Sequence, residues 1–353
     1  MADAGLERPL GRLGISPMTG HKTYELGDVR LQSGAVLKDA QLAYATYGTL
    51  NAAADNVVLL PTFYTGTHVR NEALFGPGRA IDPARHFVVS VNLFGNGYSS
   101  SPSNSSAPQD GPRFPHVTLF DNIVCQHRLL TEHLGVRRIA LVLGWSMAGM
   151  QAYQWAAQYP DMVAAILPYG GAARCSPINH AFLDGPKAAL QADAAWNEGN
   201  YSSPPEKGLR AFGRIYAAWA YSHAFFRDRL YWELGFATLE DFVRDWEEDH
   251  LKWDANDLLA KIWAWQHGDV SDNPIYRGDF ARALQSIEAR AIVMPCSSDM
   301  YFVPSDNAAE VAQMRRAELR VFESSWGHCV ASPGRVFDFQ RALDEAAAEL
   351  LRG

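Results

Sequence analysis

The sequence is poor in cysteine, in basic clusters and in long apolar runs, and each shortage removes a class of protein. Its four cysteines, Cys125, Cys175, Cys296 and Cys329, are widely spaced with no C-x-x-C pair. That excludes a disulfide framework or a zinc ribbon and makes a reducing cytoplasm the expected setting. Lys and Arg total 31 against 39 Asp and Glu, a formal charge of −8 with no basic block, so neither nucleic acid nor an anionic lipid surface is an expected partner. No apolar run approaches the roughly 18 residues of a membrane span. The first ten residues also lack the charged-then-apolar order of a secretion signal. There is no H-E-x-x-H or other metal spacing, and Gly95-Asn96-Gly97 lacks the third glycine of a dinucleotide fingerprint. Neither metal nor cofactor is therefore expected. What remains is a chain of 353 residues, 48% hydrophobic and 20% charged, with material for one large core and no disorder signature.

Short, nearly continuous apolar runs recur in the first half: Val57–Leu60, Phe87–Val91, Ile139–Leu143 and Ala164–Leu167. Apolar on both faces, they read as parallel strands covered by helices. Helical stretches lie between them, from Thr118 to His133 and from Ser146 to Tyr159, where Pro160 stops the second. From Cys175 to Ile287 the signals are mostly helical (Phe182–Ala192, Gly208–Phe226, Leu239–His250, Asp257–Gln266), and most of the tryptophans fall here. Strand signals return at Ala291–Pro295 and Leu319–Phe322, and a helix from Asp338 to Leu351 closes the chain. The expected architecture is α/β. A core over residues 1–174 and 288–353 is interrupted by a helical cap over 175–287.

The segment Leu141-Val-Leu-Gly144-Trp145-Ser146-Met147-Ala148-Gly149 places a serine between a buried strand and a helix. Gly144 permits a sharp turn, and Ala148 and Gly149 let the helix approach the strand, so the hydroxyl stands out at the carboxyl edge of the sheet. A serine hydroxyl is a weak nucleophile and needs a base and an oxyanion pocket. In this arrangement acid and then base follow the serine, each in a loop after a late strand. Asp299 and His328 occupy those positions, with nearby Asp306 as a competitor for the acid. The Met147 N–H, at the helix start, is one expected oxyanion donor. The Tyr64 N–H, in the loop Pro61–Thr67 after an early strand, is the other. Trp145 and Phe63, beside these groups, are expected to line the pocket.

Together these residues resemble the homoserine O-acetyltransferase branch of the α/β-hydrolase superfamily. Gly144-Trp-Ser-Met-Ala-Gly-Met-Gln-Ala152 is similar to its G-x-S-M-G-G-M-Q-A elbow, and Phe114-Pro-His-Val-Thr118 with Asp121 to its F-P-x-V-T-x-x-D segment. Thr65-Gly66, Ser298-Asp299 and Gly327-His328 match its oxyanion, acid and base segments. The likeness runs from about Leu31 to Leu350. It implies an eight-stranded, mostly parallel sheet, acyl transfer through Ser146, acyl-CoA as an available co-substrate, and a homodimer formed through the cap. It also implies that Arg214 and Tyr221, seven residues apart on the cap, hold substrate.

The departures concern substrate more than chemistry. The family carries an Asp directly after the catalytic His that holds the homoserine amine, and this chain has Cys329 there. The expected activity is therefore hydrolysis of a small-molecule ester or thioester, with O-acyl transfer to homoserine or another alcohol as the alternative. C–C bond hydrolysis and a non-catalytic binding role stand further off. The stripe Phe212, Tyr216, Trp219, His223 and Phe226 reads as one continuous packing face of a single cap helix, with Arg214, Ala217, Ala218, Tyr221 and Phe225 roughly opposite.

Overall fold

The computed structural model describes residues 20–352. Its strands are β1 (Lys22–Arg30), β2 (Val36–Tyr47), β3 (Val57–Pro61), β4 (Phe87–Val91), β5 (Ile139–Trp145), β6 (Ala165–Tyr169), β7 (Arg290–Val293) and β8 (Ala317–Leu319). Its α-helices are α1 (Leu119–Arg128), α2 (Met147–Gln158), α3 (Pro177–Gln191), α4 (Glu206–Ala220), α5 (His223–Arg227), α6 (Leu239–His250), α7 (Ala255–Gln266), α8 (Phe280–Gln285), α9 (Pro304–Val311) and α10 (Phe337–Leu351). The strands form one eight-stranded sheet in the order β1-β2-β4-β3-β5-β6-β7-β8. Pairs β1/β2 and β2/β4 are antiparallel; every other pair is parallel.

Alternation within the apolar runs builds two cores. Val58, Leu60, Leu141 and Leu143 face one layer, shared with α10 and the cap, while Val57, Leu59 and Val142 face the other, shared with α1. Period-two alternation within a fully buried strand requires cover on both faces. Helix α1 starts in a capping box in which Thr118 Oγ1 accepts from the Asp121 N–H (3.1 Å) and Asp121 Oδ2 accepts from the Thr118 N–H (3.0 Å). That reciprocal pairing is the physical content of the V-T-x-x-D segment. Helices α3 to α7 all lie between β6 and β7, so the cap is an insertion between neighbouring strands of the sheet.

Two features depart from the sequence reading. Strand β1 lacks an apolar run because it is an edge strand with mostly exposed side chains, interrupted by register shifts around Gly27. The expected continuous helix Gly208–Phe226 is broken: α4 ends at Ala220, Tyr221 is extended (φ −123°, ψ 156°), and Ser222 caps α5 by accepting from the Phe225 N–H at 3.1 Å. The stripe is therefore not one face. Phe212 and Tyr216 are buried, whereas His223 is exposed on the second helix. Among the described residues, no helix is long and apolar enough to cross a membrane.

Candidate active site

Strand β5 delivers Ser146 to the carboxyl edge of the sheet, and the turn into α2 holds it at φ 59°, ψ −125°. A non-glycine residue there is strained and persists only where packing dictates it. The dictating contacts involve glycines. A Cβ on Gly144 would sit 2.6 Å from the Ala148 Cβ, and one on Gly171 would sit 2.7 Å from the Ser146 carbonyl oxygen. Met147 begins α2, so its N–H has no preceding helical carbonyl to bond.

The loop after β7 carries Asp299 and the turn Gly327–Ala331 carries His328. Their side chains meet at 2.6 Å, with His328 Nδ1 donating to Asp299 Oδ2. The other carboxylate oxygen of Asp299 accepts from the Tyr301 and Phe302 N–H groups at 3.1 and 3.0 Å, so the acid is fully committed. Ser298 joins the two loops: its Oγ donates to the Ser324 carbonyl (2.6 Å) and accepts from the Gly327 N–H (3.0 Å). Asp306 instead lies in the first turn of α9. Trp145, the residue before Ser146, stacks on the imidazole at 4.9 Å between ring centres, and Tyr301 approaches it at 4.5 Å. Ser146, Asp299 and His328 are all buried.

Between β3 and the first 3-10 turn, the loop bearing Phe63 and Tyr64 folds back on itself through a Gly66 N–H to Phe63 carbonyl bond of 2.8 Å. Gly66 has to be glycine, because a Cβ there would lie 2.8 Å from the Phe63 ring. Gln151, absent from the reading of roles, pins this loop to α2: its Nε2 donates to the Thr62 carbonyl at 2.9 Å while its Oε1 accepts from Gln126 at 2.8 Å. Its linear signal is that it matches the Gln of the G-x-S-M-G-G-M-Q-A elbow. The Phe63 ring packs 4.7 Å from Trp145, with the Arg70 guanidinium 4.8 Å above it. Arg70 also donates to the Thr65 carbonyl and to Ser332 Oγ, each at 3.3 Å, linking the two loops.

The two cap residues are placed differently. The reading of Arg214 as a substrate anchor is corrected, because Arg214 is half-exposed and its guanidinium donates to Glu247 (2.6 Å) and Glu240 (3.0 Å) on α6. Tyr221, turned inward by the break after α4, is buried, and its hydroxyl accepts from Arg335 Nη1. Since exposed ion pairs contribute little, the Arg214→Ala variant is expected to keep kcat/KM on small esters within about twofold of wild type. A larger fall in a direct rate comparison would return Arg214 to the site. Cys329, next to His328, is buried, and that burial pushes its thiol up to about 11, so it is neutral at physiological pH.

A strand–serine–helix turn at positive φ, set beside a hydrogen-bonded His–Asp pair at the carboxyl edge of this sheet, defines an α/β-hydrolase enzyme. The chain belongs to that family: residues 55–331 match the family model described as alpha/beta hydrolase fold. An ethyl acetate hydrolase from Pseudomonas veronii is 36% identical over 340 residues, covering 94% of this chain and 96% of that protein. A homoserine O-acetyltransferase from Trichormus variabilis is 32% identical over 313 residues, covering 84% of this chain and 86% of that protein. Among solved structures, an acetylester hydrolase from Corynebacterium glutamicum superposes with a TM-score of 0.91 at 35% identity, covering 95% of this chain and 96% of the other. The family membership thus spans esterases and O-acetyltransferases, as the elbow and base segments imply.

Proposed function

We propose that the protein is a serine hydrolase of small carboxylic esters. The observation that carries this reading is the 2.6 Å His328–Asp299 pair beside Ser146 on its strained turn. Ser146 Oγ attacks the ester carbonyl while His328 Nε2 takes its proton, and Asp299 stabilises the imidazolium. The Tyr64 and Met147 N–H groups receive the developing oxyanion, each such donor contributing about 2.7–4 kcal/mol. Collapse breaks the ester C–O bond, and His328 returns its proton to the departing alkoxide. Water then attacks the acyl-serine with His328 as base, which releases the acid and restores Ser146.

Water is favoured over homoserine as the acceptor for two reasons. A neutral thiol stands where the transferases place an amine-binding carboxylate, and the Arg214 guanidinium is occupied by two glutamates at the surface. The relatives named as ester hydrolases agree with this choice. The test follows hydrolysis of ethyl acetate and p-nitrophenyl acetate beside thiol release from acetyl-CoA with and without homoserine. Ester turnover unaffected by homoserine is expected; homoserine-dependent thiol release would make the protein a transferase.

A further inference from the structure

Behind the Phe63–Tyr64 loop lie buried polar atoms that have no hydrogen-bond partner in the protein. They include Lys261 Nζ on α7, Tyr64 Oη and His250 Nε2 at the end of α6. The Lys261 ammonium nitrogen lies 4.0 Å from the centre of the Trp253 ring and 5.4 Å from that of Tyr64, and the residue is 0% exposed. The acids at the start of α7, which attract the ammonium through space, spend their hydrogen bonds elsewhere. Asp257, one turn back, accepts from the Ser103 N–H (3.0 Å) and hydroxyl (2.6 Å). Asp254 accepts from the Tyr201 hydroxyl (2.6 Å) and the Asp257 N–H (3.0 Å). His250 donates from Nδ1 to the Trp246 carbonyl at 2.8 Å, which leaves Nε2 with an open lone pair. Its ring lies 5.1 Å from Phe212, whose own ring lies 6.3 Å from Tyr64.

Buried polar groups in folded proteins are almost always hydrogen-bonded, and a buried ammonium without an acceptor is a costly exception. Such groups gathered on one side of the Phe63–Tyr64 loop call for a ligand that brings the missing hydrogen-bond partner. Lys261 and Tyr64 supply donors and the aromatic walls exclude competing water, so the complementary group is an acceptor carrying negative charge. Burial lowers the amine while Asp257 and Asp254 oppose that shift, so acidic pH favours the cation.

We propose that Lys261 and Tyr64 form a carboxylate-binding subsite of the ester pocket, which makes the preferred substrate an ester that also bears a carboxylate. The proposal rests on the hydrolase reading for its substrate class, but its test does not depend on turnover. In Ser146→Ala protein at pH 6, calorimetry would measure binding of three probes. Monoethyl succinate carries the carboxylate on the acyl side, 3-acetoxypropanoate carries it on the alcohol side, and diethyl succinate is neutral. At least one carboxylate probe is expected to bind tenfold or more tightly than the neutral diester, and which one does so reports the side of the ester that reaches Lys261. Lys261→Met, close in length and shape, is expected to remove that preference, and Tyr64→Phe to reduce it severalfold. Equal binding of all three probes, or a preference that survives both substitutions, would overturn the subsite. Failed ester hydrolysis by the wild-type enzyme would instead overturn the proposed function.

Discussion

Ser146→Ala is expected to lower kcat for ester hydrolysis by about a millionfold, the scale seen when a triad nucleophile is removed. No other group on the turn can replace the hydroxyl, because Cys329 is held as a neutral, buried thiol on a different loop. Folding should survive: the side chain makes no capping bond to α2, and alanine keeps the same Cβ in the same backbone position. Ser146→Gly should be equally inactive but more stable, by roughly 1 kcal/mol, because glycine relieves the cost of φ 59°. The readouts are p-nitrophenyl acetate turnover, labelling by a fluorophosphonate probe, and thermal melting. Full labelling of the alanine protein would show that the nucleophile lies elsewhere.

The Asp299→Asn variant is expected to lose about four orders of magnitude in kcat, for a reason visible in its hydrogen bonds. One carboxylate oxygen already accepts two backbone N–H groups, from Tyr301 and Phe302. An asparagine amide nitrogen cannot sit against those two donors, so it is driven to the oxygen position that faces His328. There it donates to Nδ1 and forces the imidazole proton onto Nε2, the atom that must act as base. The ring keeps its place against Trp145 and Tyr301 but in the wrong tautomer. KM should change little while kcat collapses, since binding groups are untouched. Asp306→Asn, in the first turn of α9, is the companion measurement and should retain wild-type turnover. Comparable losses in both variants would indicate general damage to the loop.

Chain order and local chemistry were enough to recognise the elbow, because a strand, a tight glycine turn, a serine and a small-residue helix start occupy consecutive positions. The same holds for Asp299 and His328, each the polar residue in a short loop after a late strand. Strands β3 to β6 were legible because burial on both faces demands unbroken apolar runs. Strand β1 was not, because an edge strand needs apolar residues on only one face and its register is interrupted. The cap failed at a single point: local helical periodicity continued through Tyr221, where tertiary packing against the His328 turn ends α4. A Cβ on Gly327 would fall 2.7 Å from the Ser222 N, so the two segments are in direct contact.

That break turned Tyr221 inward to Arg335, while Arg214, on the helix before it, pairs with Glu240 and Glu247 at the surface. Gln151, which anchors the Thr62 loop, and Lys261, stranded beside Tyr64, became visible only when segments distant in sequence were brought together. The sequence by itself determined the fold class and the three residues proposed for the chemistry, because short-range rules govern turns and buried strands. Only the tertiary structure decided which polar side chains are spent on one another and which are left without a hydrogen-bond partner. Hydrogen bonding and charge pairing act between whichever groups folding makes neighbours, whatever their separation along the chain.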